Sequence, residues 1–441
     1  MTPFGNTGSA SEVDKSSCEL AVIGTGFAGM AATLFAAHKG IPTVQVGLNA
    51  SILYASGFLD LMGVHPIAEG RIWDNPWEAI DAAINDIPTH PYARLSKTDI
   101  RHALEEFMGS MEAAGLPYKY RPDANTSVIT PVGTLKPTYG VPESMWNGAE
   151  ALEKQKKCLM LDFWGLKGFS AVQISEMLRE RWPGISAARI PFPVVGPSVD
   201  LYPEKMARSL ELRIHREALA REIRPHLNGA EVVGMPAIFG MHQTRAVMAD
   251  LADLIGADLF EIPTIPPSVP GLRIKEKLDE LIQAKGIQAF TQKLVLRATH
   301  EKNGQFLLDV GEPTTKTITH RLRARGVILA GGRFLGRGLY AGRKKIIEPL
   351  FGLPVFQPRE RTHWHRQSVF DPQGHAVNMS GLEIDSDFRP VNDTGQAVWE
   401  NLYAAGTILA HQDWMRMKCG AGISIATAYG AVHAFAKHMG F

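Results

Sequence analysis

The chain has 441 residues, of which 45% are hydrophobic and 21% charged, a balance typical of a globular protein with a large core. Its 46 basic and 45 acidic side chains leave a net charge of +1, which gives no electrostatic reason to expect nucleic-acid binding. Three widely separated cysteines favour a reducing cytoplasm over a disulfide framework, and they are too few for a four-thiolate iron–sulfur cluster.

The N-terminal residues 1–17 are polar and rich in Gly and Ser, so we expect a flexible tail and not a signal peptide. The uncharged run 20–37 approaches the length of a transmembrane helix. Glycines interrupt it near its start, however, and a strand followed by a turn and a helix explains the pattern better. The predicted segments are a strand at 18–23, a turn at 24–29, a helix at 30–38 and a second strand at 41–46.

The turn reads Gly-Thr-Gly-Phe-Ala-Gly, the spacing of a dinucleotide-binding turn placed between a strand and a helix. Gly24 permits the tight turn, Gly26 lets the backbone approach a phosphate, and Gly29 lets the helix pack close to the strand. The helix start, with Phe27 and Ala28, supplies free amides and a partial positive charge. We therefore predict a nucleotide site here; the alternative is a glycine-rich structural turn.

One part of this pattern is missing, because no acid stands at the end of the second strand. Gln45 and Gly47 occupy that region, and the next acid is Asp60. Such an acid usually binds a ribose hydroxyl of adenosine. The sequence therefore predicts either a mononucleotide cofactor or a ribose held by other groups.

The middle of the chain shows a less regular alternation of patterns. Helices are predicted at 77–85 and 97–114, a hairpin at 118–135, an irregular segment at 141–157, and a strand, helix and strand at 159–163, 173–181 and 190–195. The proline-rich segment 263–271 is interpreted as a boundary loop.

Late in the chain, buried strands end in glycines. A strand at 326–330 ends in Gly331 and Gly332, a strand at 401–405 ends at Gly406, and Gly420, Ala421 and Gly422 open the last helix. The order of these features resembles that of flavoproteins similar to fumarate reductase and glutathione reductase. That resemblance implies that the last helix directs its positive N-terminus at the flavin.

Further short segments appear in order along nearly the whole chain. They are 55–61 (ASGFLDL, with Ser56 and Gly57), 90–92, 130–135, 235–240, 263–269, 271–273, 348–349 and 419–420. In this series the chain resembles the B subunit of anaerobic glycerol-3-phosphate dehydrogenase.

The resemblance implies a flavin, with FMN favoured and FAD as the alternative, and it adds Ser56 and Gly57 to the predicted cofactor contacts. It implies an FAD-bearing catalytic A subunit and an iron–sulfur C subunit as partners, at the inner face of the cell membrane, with the membrane reached only through a partner. It also implies oxidation of glycerol 3-phosphate to dihydroxyacetone phosphate, with electrons passed towards quinone.

We therefore predict an α/β, Rossmann-type FAD/NAD(P)-binding fold with a discontinuous flavin domain at 18–135 and 268–441 and an interposed lobe at 136–267. Arg273, Arg333 and His411 are the candidate catalytic or anion-binding residues, and no metal site is expected. Two alternatives stay open: a self-sufficient flavin dehydrogenase acting on another hydroxy acid or dicarboxylate, and a non-catalytic flavin-fold assembly subunit.

Overall fold

The computed structural model describes residues 14–48, 51–193 and 200–441. Residues 1–13 of the expected tail lie outside these ranges. Residues 14–17, by contrast, are not part of a tail, because they begin strand β1 (Asp14–Ile23) and pair in parallel with residues 320–323. The partner strand is long and also pairs with the polar residues before the apolar run, so β1 begins earlier than the sequence predicted.

Helices and strands alternate along much of the described chain. The helices are α1 (Phe27–His38), α2 (Pro76–Asp86), α3 (Lys97–Ala113), α4 (Glu143–Glu153), α5 (Ala171–Leu178), α6 (Pro203–Leu210), α7 (Arg213–Ile223), α8 (Thr244–Ile255), α9 (Val269–Ala284), α10 (Trp414–Met417) and α11 (Gly420–Met439). The strands after β1 are β2 (Thr43–Gly47), β3 (Tyr118–Tyr120), β4 (Thr126–Ile129), β5 (Leu135–Thr138), β6 (Gly140–Pro142), β7 (Cys158–Phe163), β8 (Ile185–Ile190), β9 (Val232–Pro236), β10 (Asp258–Ile262), β11 (Gln288–Thr291), β12 (Leu294–His300), β13 (Phe306–Gly311), β14 (Ile318–Leu329), β15 (Tyr340–Ala341), β16 (Ile346–Ile347) and β17 (Leu402–Ala404).

The main sheet has the strand order β11-β2-β1-β14-β13-β12, and β17 also pairs with β14. Strands β11, β2, β1, β14 and β17 are parallel neighbours, whereas β12, β13 and β14 are antiparallel. All five residues of β2 are buried, as expected for a parallel strand covered on both faces. With α1 crossing from β1 to β2, this is the predicted Rossmann-type α/β fold.

A second sheet, of order β10-β9-β7-β8, is entirely parallel. It has its own apolar core, in which Trp182 and Phe239 are fully buried. All four strands fall inside the lobe predicted at 136–267, while the main sheet draws on the chain before and after it. The domain limits themselves stay a prediction.

Several local expectations were wrong. The segment 141–157 contains helix α4, which lacks a side-chain N-cap and packs through Gly148 against Phe260 of β10. The strand expected at 190–195 is β8, which ends at Ile190, and Val194 and Val195 lie outside the described residues. The hairpin comprises β4 and β5, whereas β3 pairs with β6.

The apolar run at 20–37 forms the end of β1, the glycine turn and most of α1, as the sequence predicted. In the ranges that the structure describes, no helix is both long and apolar enough to cross a bilayer.

Candidate functional site

The first glycine turn is built by close backbone contacts. Gly24 has a φ of +134°, and an ideal Cβ on it would lie 2.2 Å from the Ala330 carbonyl oxygen at the end of β14. A Cβ on Gly29 would lie 2.1 Å from the Gly24 oxygen. A side chain at Gly24 would separate the turn from the sheet, and one at Gly29 would separate helix α1 from the turn, so both positions require glycine.

The amides of this turn are free to bind an anion. From Thr25 to Gly29 no backbone N–H donates to an acceptor among the described residues, and the N-cap residue of α1, Gly26, offers no side-chain cap. Unpaired amides at a helix start, together with the helix dipole, form a phosphate-binding site. Gly26 and Phe27 are also partly exposed, which leaves the turn open to a ligand.

Gly406 packs between the start of α1 and the second turn of α11. It has a φ of +84°, and a Cβ on it would lie 2.5 Å from Ala28 Cβ and 3.8 Å from Ser424 Oγ. Its amide donates to Thr427 Oγ1 at 2.8 Å. The first turn of α1 and the second turn of α11, which are distant in sequence, therefore meet at Gly406.

Of the three amides predicted to face the cofactor at the start of α11, one is bonded to protein and two are free. The Gly422 amide donates to the Asp60 carbonyl oxygen at 2.7 Å, and a Cβ on Gly422 would lie 2.3 Å from Tyr92 Oη. Gly422 therefore packs against protein and does not offer its amide to a cofactor, contrary to expectation. The amides of Gly420 and Ala421 donate to no described acceptor, and both residues are partly exposed.

Gly331 and Gly332 are covered by the segment that follows them. A Cβ on Gly336 would lie 2.3 Å from the Gly331 oxygen, and one on Gly338 would lie 2.1 Å from the Gly332 oxygen. A Cβ on Gly332 would lie 3.7 Å from Thr407 Oγ1, beside Gly406. The two glycines thus lie at the same sheet edge as the first turn, and both are partly exposed.

Of the predicted pair Ser56 and Gly57, Gly57 packs against the start of α9. Gly57 has a φ of +92°, and a Cβ on it would lie 2.9 Å from Pro270 Cβ. Its carbonyl oxygen accepts a hydrogen bond from Tyr118 Oη at 2.9 Å. Gly57 also lines a cavity of about 320 Å³, whose walls include the candidate residue Arg273 and none of the glycines of the α1 turn.

Arg273 does not serve as a free anion site. Its guanidinium donates to both carboxylate oxygens of Glu261, at 2.7 and 2.8 Å, and to the Gly240 oxygen at 2.9 Å. Ser144 Oγ and the Phe239 amide complete the shell around Glu261, at 2.7 and 2.6 Å. Since two guanidinium nitrogens donate to Glu261 and the third to a backbone oxygen, the expected ligand contact is corrected to a structural role.

The Arg333 side chain also binds backbone oxygens of the protein. Its two terminal nitrogens donate to the carbonyl oxygens of Asn378 and Val377. Burial lowers its pKa to about 10, and the carboxylate of Asp413 opposes that shift. The expectation that Arg333 binds a ligand is therefore replaced by a role in holding the 376–379 turn.

His411 likewise has protein partners. Its Nε2 lies 2.7 Å from Glu383 Oε1, and its ring centroid lies 4.1 Å from that of Phe356. The residue adopts a φ of +63°. Its imidazole is held by the 382–384 segment, and nothing in this arrangement aims it at the glycine turn.

A charged group that the sequence reasoning missed lies next to the start of α11. Lys136 Nζ is 2.6 Å from Asp60 Oδ2, and Lys418 lies two residues before Gly420. The residues come from three separate segments, so no local pattern could join them. The ASGFLDL motif, which contains Asp60, was the sequence feature that could have pointed to this charged group.

The end of β2 explains the missing acid. A Cβ on Gly47 would lie 2.9 Å from Thr25 Cγ2 and 3.0 Å from Thr25 N. Thr25 Oγ1 donates to the Leu48 oxygen at 2.6 Å, and Gln45 Nε2 donates to the Gly24 oxygen at 3.1 Å. Glycine is therefore required by packing against the turn, and its presence does not indicate a cofactor without adenosine.

A family model described as "FAD binding domain" matches residues 19–423. The chain is 31% identical to the probable B subunit of anaerobic glycerol-3-phosphate dehydrogenase from Halobacterium salinarum, covering 95% of this chain and 98% of the relative. It is 30% identical to the B subunit of anaerobic glycerol-3-phosphate dehydrogenase from Vibrio vulnificus, covering 94% and 95%.

The chain belongs to this B-subunit family of FAD-binding-domain proteins. Among solved structures, it is similar to the FrdA chain of E. coli quinol fumarate reductase, with a TM-score of 0.41, 11% identity and coverage of 97% of this chain and 71% of that one. It is equally similar to 3-ketosteroid delta1-dehydrogenase from Sterolibacterium denitrificans, with a TM-score of 0.41, 11% identity and coverage of 96% and 100%. These likenesses are too distant to bear on function.

The residues of this B-subunit homologue fit a flavin nucleotide. Free amides at the α1 start suit its phosphate, and free amides at Gly420 and Ala421 suit an electron-rich edge of its ring. Gly406 contacts Ala28 at the first set and Ser424 in the second turn of α11, the helix that the second set opens. The protein is thus a flavin-dependent oxidoreductase of a family named as one component of a larger complex.

Proposed function

We propose that this chain is the flavin-binding B subunit of an anaerobic glycerol-3-phosphate dehydrogenase complex. The complex oxidises glycerol 3-phosphate to dihydroxyacetone phosphate and passes the electrons to quinone through partner subunits. The single observation that carries the proposal is the set of free amides at the start of α1, packed through Gly406 against α11, in a chain whose relatives bear this name.

We propose FAD as the cofactor, in place of the FMN that the sequence favoured. The preference for FMN came from the resemblance, and the absent acid at Gly47 agreed with it; packing against Thr25 now accounts for that absence. The family description names FAD. The free amides from Thr25 to Gly29 would hold the pyrophosphate, while Gly331 and Gly332 allow close approach of the rest of the nucleotide.

The flavin supplies the redox chemistry when bound, since it accepts an electron pair from an organic substrate and releases single electrons. This chain binds and orients the cofactor through the turn at α1 and places the amides of Gly420 and Ala421 against negative charge. With three cysteines in the sequence, it depends on another chain for a four-thiolate cluster.

The proposed partners are an FAD-bearing catalytic A subunit and an iron–sulfur C subunit. In this arrangement the chain lies in the cytoplasm at the inner face of the cell membrane, and the iron–sulfur partner provides the attachment. The predicted division into a flavin domain at 18–135 and 268–441 and a lobe at 136–267 is part of the proposal.

Acid extraction of purified protein, with chromatography of the released flavin, tests the cofactor. We expect about one FAD per chain, and FMN would reverse the cofactor assignment. The variant Gly24→Ala should lose the flavin, because its Cβ would overlap the Ala330 oxygen. Gly304→Ala, also at positive φ but with open space around it, is the matched control.

Activity of the co-purified complex tests the reaction. We expect dye reduction with glycerol 3-phosphate by the complex and little by the chain alone. Full activity of the isolated chain would favour the self-sufficient dehydrogenase. A complex that is active although this chain carries no flavin would favour the assembly role.

A further inference from the structure

The segment 333–347 follows Gly331 and Gly332 and carries an excess of positive charge. It contains five Lys or Arg residues and no Asp or Glu, whereas the whole chain has a net charge of +1. Four of these cations are exposed: Arg337, Arg343, Lys344 and Lys345. No carboxylate of the described residues lies within 4.0 Å of any of the four. The described part of the chain therefore leaves this positive charge without a partner.

Exposed apolar side chains lie on the same segment. Leu335 is 80% exposed and Tyr340 61%, and Phe334 and Ile347 are exposed as well. Tyr340 and Ile347 are paired across strands β15 and β16, so their side chains stand on the same face of the hairpin. That face points outward, because the neighbouring residue Ile346 is buried. A group of large apolar side chains left in water marks an interaction surface.

Contacts with neighbouring segments hold this stretch in place. The Ile346 amide donates to Gln357 Oε1 at 2.6 Å, and the Ile346 oxygen accepts from Gln357 Nε2 at 2.8 Å. Arg361 Nη1 donates to the Gly342 oxygen at 2.7 Å, and Leu339 is buried in the main core. The exposed side chains are therefore presented on an ordered backbone, which lowers the entropy cost of binding a partner.

The segment also lies against the sheet edge to which we assign the cofactor. Gly336, which Leu335 and Arg337 flank, packs so closely that a Cβ on it would lie 2.3 Å from the Gly331 oxygen. The exposed apolar and basic side chains thus begin directly beside the proposed flavin site. A partner that receives electrons has to dock near the cofactor, because electron transfer slows steeply with distance.

Two classes of macromolecule carry the negative charge that would suit this surface, an acidic protein and an anionic membrane. A segment that enters a membrane buries its apolar side chains at the acyl boundary, so these side chains have to lead. Here the turn 342–345, closed by the bond from the Gly342 amide to the Lys345 oxygen at 3.0 Å, carries three cations at the tip of the hairpin. The apolar side chains lie on the strands behind it. This order favours a protein whose acidic side chains surround an apolar centre.

We propose that the segment 333–347 is the docking surface for the electron-accepting partner subunit, and that the partner meets it with an acidic face. The four exposed cations pair with carboxylates of that face, while Leu335 and Tyr340 pack against its apolar centre. The inference rests on the proposed function in taking this partner as the occupant. It deepens that function by naming the surface, and the charge, through which the chain joins the complex.

Dissociation of the purified complex on dilution, followed by mass photometry, tests the surface. Reversal of two charges in Lys344→Glu/Lys345→Glu should raise the dissociation constant about tenfold or more, because two attractions become repulsions. Lys285→Glu/Lys316→Glu makes the same change of charge and should stay within about threefold of the wild type. These two lysines are exposed and precede β11 and β14, at the opposite end of the parallel strands from Gly331.

Leu335→Ser tests the apolar part of the surface. We expect it to raise the dissociation constant about tenfold, and this loss should persist at high salt. The loss in Lys344→Glu/Lys345→Glu should shrink as salt rises, because salt screens exposed charges. Val172→Ser is the control, since Val172 is 54% exposed on α5 beside the second sheet, and its complex should match the wild type.

Equal dissociation constants for the two double variants would overturn the inference, as would an unchanged constant in Leu335→Ser. Sedimentation with phosphatidylcholine vesicles, with and without phosphatidylglycerol, tests the membrane. The inference would also be overturned if the wild-type chain bound the anionic vesicles and Lys344→Glu/Lys345→Glu abolished this binding while leaving the complex intact. Flavin absorbance of each variant is read separately. A complex that weakens as expected although this chain holds no flavin would refute the proposed function and support the docking surface.

Discussion

Replacement of Arg273 by Met tests whether this residue holds the fold together or serves a ligand. Arg273 in α9 and Glu261 in β10 connect this helix to the second sheet, with side-chain exposures of 4% and 0%. Removal of one partner leaves the other charge buried, which costs about 3–5 kcal/mol. The lost hydrogen bond to the Gly240 oxygen adds about 1 kcal/mol.

We therefore expect Arg273→Met to lower the free energy of unfolding by about 4–6 kcal/mol, as measured by urea denaturation followed by tryptophan fluorescence. The double variant Glu261→Gln/Arg273→Met should recover more than half of this loss, because no unpaired charge remains. Arg245→Met is the control: its guanidinium pairs with Glu143 while 68% exposed, and surface pairs contribute at most about 1 kcal/mol.

Folded Arg273→Met protein should keep its flavin below the unfolding transition. If the variant is as stable as the wild type but has lost flavin or phosphate binding, the structural role is refuted and the ligand contact is restored.

Three further predictions concern the site and its surroundings. Gly406→Ala should lose flavin absorbance, because its Cβ would lie 2.5 Å from Ala28 Cβ, whereas Gly256→Ala, at a similar φ in open space, should keep it; equal flavin content would contradict the convergence of the two helices. Burial raises the pKa of the Cys419 thiol well above its ordinary value, so this thiol should react with Ellman's reagent only on unfolding, and a fast reaction of native Cys419 would contradict its burial. Burial, with the charges of His65 and His411 adding, lowers the pKa of His90 from 6.5 to about 3. The unfolded chain therefore binds a proton that the folded chain does not, and the free energy of unfolding falls as the pH drops below 6.5. His90→Gln should reduce this fall in urea denaturation, and an unchanged dependence of the unfolding free energy on pH would contradict the buried neutral imidazole.

The sequence by itself determined the β1–α1–β2 unit and the positions of the glycine-terminated strands. Apolar runs and glycine spacing are local properties of the sequence, so in buried segments they are enough to predict a strand, a turn and a helix. They identified Gly24, Gly29 and Gly406 as positions where the backbone makes close contacts. The order of these features along the chain indicated a flavoprotein, and the series of short segments indicated the B-subunit family.

Only the tertiary structure decided which groups are free for a ligand. The Arg273 guanidinium pairs with Glu261, and the Gly422 amide donates to the Asp60 backbone oxygen. Gly47 is glycine because Thr25 packs against it. Lys136 pairs with Asp60 although the two residues are far apart in sequence. Such pairings depend on contacts between distant segments, and no local periodicity encodes them.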